Sequence, residues 1–310
     1  MKNSKKQEIS NDSSNGNNGV TFFAYNNEQI DYIKLAVLAA SAVKKHMKNN
    51  QTCLITDQGS LDWSIKSLSV NILNTAFDHF IISDPVCKPN IRKFYDSPWT
   101  TFESQFENWN KNDVIELTPF DKTLMLDVDF LVNNNLLDMA FGINEPLMLY
   151  TDAKTLRNEK PFHILERRLH KHGIPMLWST AIYFDKHDKV VQLFFDLWVH
   201  IKDNWDFYRY LYGFKSTIYR TDFAVSIAIH MLNGFVENTL VKSLPGNPMK
   251  YVEPKDDIQD VLSDGSIQCL SHKPDEEWLH ILAVCKNENL HIMNKRAIDR
   301  NWDKLMELYE

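Results

Sequence analysis

The 310-residue chain lacks most of the short motifs that announce a site on their own. Its nine glycines never fall into G-x-G-x-x-G or G-x-x-x-x-G-K-[ST], so a classical dinucleotide or P-loop phosphate cradle is not expected. Cys53, Cys87, Cys269 and Cys285 stand far apart with no C-x-x-C. That spacing argues against a zinc knuckle or a disulfide framework and reads as reduced thiols in a cytoplasmic protein. No apolar run approaches the length of a membrane span. The basic start, MKNSKK, is followed by polar residues where a secretory signal would carry an apolar stretch. An excess of positive charge is missing too. Thirty-four Lys and Arg against 41 Asp and Glu leave a net charge of −7, which offers no general nucleic-acid-binding surface. There is no internal repeat.

What is present is core material. Hydrophobic residues make up 44% of the chain, ample for one large domain or two intimately packed ones. Residues 1–19 read as a disordered polar tail rich in Asn, Ser and Gly, and residues 20–310 as a single catalytic-sized domain. The run 20–26 predicts a strand, 28–48 an amphipathic helix ending in cations, 52–56 a strand, 61–74 a helix and 77–83 a strand. This β-α-β-α-β alternation predicts an α/β fold with a parallel sheet, whose ligands sit at the C-terminal strand ends. Tyr25, Asn26, Asp57 and Asp84 fall at such ends. Residues 85–101 read as irregular and charged, and 102–110 as a short helix. Pro119 and Asp121 mark a turn before a strand at 123–127.

That last strand carries TLMLDVDFLV, residues 123–132. Side chains alternate along a strand, so Asp127 and Asp129 are expected on one face. Like charges that close need neutralising. Three outcomes satisfy the chemistry: both reach solvent, both pair with Lys or Arg, or both hold a divalent cation through hard oxygen ligands.

The segments TFFAYNN, TCLITD, TPFDKTLMLDVDFLV, GIPMLWSTAIYFDK, YRTDFAVSIAIHML and LHIMNKRAI together resemble nucleotide-sugar glycosyltransferases of the GT-A fold, in particular the glycogenin-like retaining family. The stretch 118–132, with its D-x-D, is the specific part. The resemblance implies a Rossmann-like, mixed but mainly parallel sheet flanked by helices, with a nucleotide-binding half at 20–132 and an acceptor half at 133–310. It implies a hexosyltransferase using a nucleoside diphosphate sugar, UDP being the commoner donor, with Mn²⁺ or Mg²⁺. Asp127, Asp129 and His291 would hold the metal, with Lys295 on the β-phosphate. Ala24, Tyr25, Asn26, Asp57, Lys111, Asp127 and Val128 would surround the nucleotide. Asp222 and Asp185 are the candidate catalytic carboxylates. A glycan, lipid or protein acceptor ranks ahead of modified DNA; the Asn/Lys/Ile-rich composition has a viral or AT-rich bacterial flavour, and if viral the host cytoplasm would be the location. A homo-oligomer is compatible with the sequence.

The chain departs from the family in two places. Trp178-Ser179-Thr180-Ala181 stands where relatives carry Asn-Ser-Gly, and Thr221-Asp222-Phe223 where they carry Asp-Gln. Retention or inversion is left open. A catalytically inactive scaffold used as a binding module and a sugar nucleotidyltransferase remain as alternatives. Among the plainer readings, Asp222 or Thr221 caps a helix at 223–232. His272 or His280 replaces His291. The aromatic stretch 194–214 is helical core, with Tyr208, Tyr210 and Tyr212 also candidates for an acceptor cleft. His163, His170 and His172 read as a solvated segment over the site.

Overall fold

The structure is a computed structural model that describes residues 17–48, 50–86, 88–161, 168–169, 174–236, 240–273 and 275–310. Most of the polar tail, Cys87 and the histidines at 163, 170 and 172 lie outside the described residues.

The first half alternates as expected. It comprises β1 (Asn18–Phe23), α1 (Tyr32–His46), β2 (Gln51–Thr56), α2 (Gln58–Ser64), α3 (Val70–Ala76) and β3 (His79–Ile82). Helix α1 begins at Tyr32 because Asp31 caps it, accepting from the Lys34 amide at 3.0 Å. Lys44, Lys45 and His46 in its last turn complement the helix dipole. The single helix expected at 61–74 is two. Ser69 takes an extended conformation and caps α3, so its hydroxyl restarts the helix.

Two further expectations fail in the next segment. Residues 85–101 are not wholly irregular, and 102–110 hold no helix. β4 (Ile91–Tyr95) and β5 (Thr101–Gln105) form an antiparallel hairpin pairing Ile91 with Gln105 and Tyr95 with Thr101. The cross-strand pairing of Phe94 with Phe102, whose rings stack at 5.4 Å, outweighs the charges that made the segment look like loop.

Then come α4 (Val114–Leu117), β6 (Lys122–Leu126), β7 (Phe130–Leu131), β8 (Leu147–Tyr150), β9 (Ala153–Thr155), β10 (Arg168–Leu169), β11 (Ile174–Pro175) and β12 (Trp178–Asp185). The helices α5 (Lys189–Asp203), α6 (Trp205–Leu211) and α7 (Thr221–Leu232) follow. The chain closes with β13 (Lys242–Ser243), β14 (Met249–Val252), β15 (Asp257–Val261), β16 (Ile267–Lys273), β17 (Glu276–Cys285), β18 (Leu290–Ile292), α8 (Lys295–Arg300) and α9 (Trp302–Tyr309).

The central sheet has seven strands in the order β13-β8-β12-β6-β1-β2-β3. It is mixed but mainly parallel: β12 alone runs against its neighbours β6 and β8. Helices flank it, with α1 packed on α3 and α9, and α5 packed on α7. β1, β2, β6 and β12 are buried almost end to end, as expected of strands covered on both faces. A four-stranded sheet, β7-β18-β14-β9, joins residues 130–131 to the C-terminal region, and β15-β16-β17 form a separate antiparallel sheet.

Gly19 fixes how closely β1 lies to the turn before β6. A Cβ there would come within 2.3 Å of the Phe120 ring, which is fully buried. Gly19→Ala is expected to destabilise the protein by about 1–3 kcal/mol through overpacking. Combining it with Phe120→Leu should recover part of the loss. Chemical denaturation reads both, and an unchanged midpoint for Gly19→Ala would count against this packing.

Candidate active site

Three backbone connections build the site. β6 ends at Leu126, and the Asp127 amide then donates to the Thr180 carbonyl of β12 at 2.8 Å. The Phe130 amide donates to the Asp127 carbonyl at 3.1 Å, closing a turn. β7 then pairs with β18, setting His291 opposite Phe130, while the Ile292 amide donates to the Asp129 carbonyl at 2.8 Å. The two aspartates therefore converge through a turn and not through strand alternation, as the sequence pattern suggested. Their carboxylates and the His291 ring offer donor atoms all within 4.8 Å of one another.

Each carboxylate has a cationic partner. Lys111, in a short 3₁₀ turn (Lys111–Asp113), is hydrogen-bonded to Asp127. Lys295, the first residue of α8, reaches Asp129 Oδ2 at 2.5 Å. His291 Nε2 lies 3.5 Å from Asp129 Oδ1, and its Nδ1 is 3.2 Å from Thr180 Oγ1. A hydroxyl on Nδ1 orients the ring and leaves Nε2 turned toward the carboxylates, the usual arrangement behind a ligating histidine. Burial pushes the Asp127 carboxyl above the ordinary range. For Asp129 burial acts in the same direction, but Lys295 and His291 together outweigh it and hold that carboxyl far below.

These residues form the floor of an open cleft. Tyr25, Val128, Ser179 and Asp222 also line it. So do several residues that the sequence reading had not singled out: Tyr32, Arg92, Phe106, Glu107 and Arg220. Arg92 stands on β4, its guanidinium 5.1 Å from the Phe106 ring centre and 5.7 Å from that of Phe94. Burial lowers its pKa, as does Arg220 nearby. Arg220 Nη2 pairs with Asp222 Oδ2 at 3.2 Å. Asp222 Oδ1 accepts from the Ser179 amide at 2.9 Å and the Ser179 hydroxyl at 2.8 Å. Burial raises the Asp222 carboxyl, yet Arg220 and Ser179 hold it below the usual range. Asp222 is thus in the first turn of α7 without capping it: the N-cap is Arg220, which makes no side-chain cap bond.

Other candidates are placed elsewhere. Asp185 ends β12, which runs antiparallel to β6 and pairs Asp185 with Lys122, so it sits at the opposite edge of the sheet from Asp127. Asn26 spends its side chain on structure, donating to Ser64 Oγ at 2.8 Å and accepting from the Ile33 amide at 3.1 Å. Asp57 caps α2 through Ser60. The Ala24 carbonyl accepts from Thr56 Oγ1 at 2.6 Å. None of these four lines the cleft. His272 and His280 lie on β16 and β17 with their rings 5.6 Å apart, outside it. Tyr208 and Tyr212 are buried and Tyr210 is exposed; none of the three lines the cleft. The stretch 194–214 is largely helical, as its spacing predicts.

No family model and no curated protein sequence matches the chain. Among solved structures it is similar to the glycosyltransferase GlyE of Streptococcus pneumoniae, with 13% identity, a TM-score of 0.41 and 74% of this chain covered. The aligned part spans only 45% of that protein. Mouse xyloside xylosyltransferase 1 aligns at 12% identity and TM-score 0.41, covering 72% of this chain and 84% of its own. A 4-diphosphocytidyl-2C-methyl-D-erythritol synthase from Anaerococcus prevotii aligns at 12% identity and TM-score 0.37, covering 73% and 86%.

The ion pairs make a stability prediction. Asp129 has a depressed carboxyl, so its contribution is fully present above the ordinary carboxylate pKa near 4 and is lost only as pH falls toward the folded value. Lys295→Met removes the principal cause and strands a buried charge, at a cost of about 3 kcal/mol at neutral pH. Millimolar Mn²⁺, supplying the lost positive charge, should restore most of the melting temperature. A variant as stable as wild type without metal would contradict this.

Proposed function

We propose that the chain is a metal-dependent glycosyltransferase, moving a hexose from a nucleoside diphosphate sugar, UDP-hexose first, to a hydroxyl acceptor. The observation that carries this is the meeting of Asp127, Asp129 and the Nε2 face of His291 with two lysines on the floor of one cleft. Two carboxylates and one imidazole are a fitting donor set for Mn²⁺, with Mg²⁺ as the harder alternative. Such an ion, when bound, offsets the charge that grows on a leaving diphosphate.

The chain's own residues supply the rest. Lys111 and Lys295 balance the two carboxylates; with the donor in place their ammonium groups turn to the diphosphate oxygens as point charges. Thr180 holds the His291 ring, and its backbone carbonyl holds the Asp127 amide, so one residue sets the angle of two ligands. Tyr25 and Phe23, whose rings lie 6.3 Å apart at the end of β1, offer an apolar wall to a nucleobase. Arg92, Arg220 and Asp222 line the same cleft and orient the sugar and the acceptor.

The bonds on Asp222 bear on the stereochemistry. A general base works best with a pKa near the operating pH. Asp222 is held ionised below the usual range by Arg220 and Ser179, and is therefore a weak proton acceptor. We assign the acceptor's proton to the departing phosphate oxygen and front-face, retaining transfer to this site. Asp222 then positions the substrates. The acceptor is a glycan, lipid or protein hydroxyl.

Calorimetric titration with UDP tests the reading. Wild type should bind UDP at least about tenfold more tightly with Mn²⁺ than without. Asp129→Ala should lose the metal-dependent part, and Thr180→Val should weaken metal binding about 10- to 100-fold through the misplaced imidazole. Hydrolysis of a UDP-hexose should then follow the same metal dependence. Metal-dependent UDP binding without turnover of any donor would favour a binding module instead. No nucleotide binding in either condition would contradict the proposal.

A further inference from the structure

Two hydrogen-bonding groups that line the cleft have nothing to bond to. The Tyr32 hydroxyl is buried and has no hydrogen-bond partner among the described residues. Asn27, the polar side chain in its neighbourhood, is already engaged. Its oxygen accepts from the Gln29 and Ile30 amides at 2.9 and 3.0 Å, and its nitrogen donates to the Gln105 carbonyl at 2.9 Å. Arg92 makes no ion pair and no side-chain hydrogen bond among the described residues. The other Lys and Arg side chains of the cleft, Lys111, Arg220 and Lys295, each have a carboxylate. The Arg92 guanidinium packs instead against the Phe94 and Phe106 rings, a contact that uses its face and none of its N–H groups. Buried donors are seldom left idle in a folded protein, because the desolvation they suffer is not offset.

The two groups share one place. Arg92 and Tyr32 act on each other electrostatically, and Asp129 acts on both. Tyr25 and Glu107, the other cleft residues with a buried and unpartnered oxygen, belong to a different neighbourhood, that of Asp57.

Charge balance identifies the missing ligand group. On the function proposed above, a divalent ion with Lys111 and Lys295 offsets Asp127, Asp129 and the two charges of a sugar nucleotide's diphosphate, while Arg220 offsets Asp222. Arg92 is left as one positive charge. A guanidinium is donor only, and burial keeps the proton on the Tyr32 hydroxyl, which adds one more donor. Their complement is a group with two acceptor oxygens and a single negative charge, which is a carboxylate. A phosphate monoester brings nearly two charges, one more than the pair offsets. A neutral hexose brings hydroxyls alone and leaves the guanidinium desolvated and unpaired. The donor sugar, and not the acceptor, is the place for the carboxylate. Asp129 acts on both groups, and the diphosphate that its metal would carry is joined directly to that sugar.

We propose that the transferred sugar is a hexuronate, a hexose oxidised to a carboxylate at C6, and that Arg92 and Tyr32 together recognise this carboxylate. The inference rests on the glycosyltransferase reading of the cleft and narrows its donor.

Isothermal calorimetry on the full chain with Mn²⁺ tests it, with UDP, UDP-glucose, UDP-galactose, UDP-glucuronate and UDP-galacturonate titrated in turn. One of the two uronates should bind about 10- to 100-fold more tightly than the hexose nucleotide of the same configuration, the range expected for a hydrogen-bonded charge. Arg92→Met keeps an aliphatic stem against the phenyl rings and should abolish that preference. Tyr32→Phe should cut it about threefold to tenfold. Melting temperatures check that both variants are folded, and if Arg92→Met is not, Tyr32→Phe alone decides. Wild type that binds UDP but shows no preference for either uronate overturns this inference and leaves the glycosyltransferase reading standing. So does an Arg92→Met variant that weakens UDP and every nucleotide sugar by one common factor, which would assign the pair to the diphosphate. Wild type that binds no UDP overturns the glycosyltransferase reading and the inference with it.

Discussion

Asp127 and Asp129 are like charges brought within a few ångströms of each other at the base of an open cleft, and the surrounding structure answers that repulsion. The turn after β6 creates the conflict, because it aims both carboxylates at the same space. The β7–β18 pairing brings in His291 from the other end of the chain, and α8 starts with Lys295 three residues after β18 closes. Lys111 arrives from the 3₁₀ turn that precedes β6. Residues separated by more than 160 positions thus meet because one electrostatic cost has to be met, and the small sheet β7-β18-β14-β9 is the device that fixes their distance.

The lysines make the site a balanced one. Each carboxylate is paired, so the cleft is neutral at its floor before any ligand enters. A cation entering alone would have to displace two ammonium groups from their carboxylates. A cation arriving with a diphosphate offers those groups new oxygen partners. On the function proposed above, the same ion pairs would couple metal and nucleotide, so that each would strengthen the binding of the other. The asymmetry between the carboxyls fits this picture. Both carboxyls carry a desolvation cost: at Asp129 Lys295 and His291 outweigh it and hold the carboxyl below the ordinary range, while at Asp127 burial prevails and raises it.

Much of this was legible in the sequence, for identifiable reasons. Long apolar runs bounded by Asn, Asp and Gly gave β1, β2 and β6, since strands buried on both faces need little periodicity to be recognised. Asp127, Asp129, His291 and Lys295 were legible through the resemblance carried by residues 118–132 and 290–298. Arg92 and Phe106 were missed because a hairpin and its flank with five charges and a proline look like loop; the cluster of Phe94, Phe102 and Phe106 was the available signal. Asp185 misled because its distance in sequence from the site says nothing of strand direction, and β12 runs backwards. Asn26 and Asp57 sit at strand ends as expected, but their side chains satisfy helix N-termini, a local need as common as ligand binding.

The most direct measurement is anomalous X-ray scattering from crystals grown with UDP and Mn²⁺. The account predicts a single strong manganese peak bounded by Asp127, Asp129 and His291 Nε2, with Lys111 and Lys295 moved from the carboxylates onto the diphosphate. A diphosphate bound in the cleft with no manganese peak there, or both lysines still on Asp127 and Asp129 beside a bound ion, would contradict it.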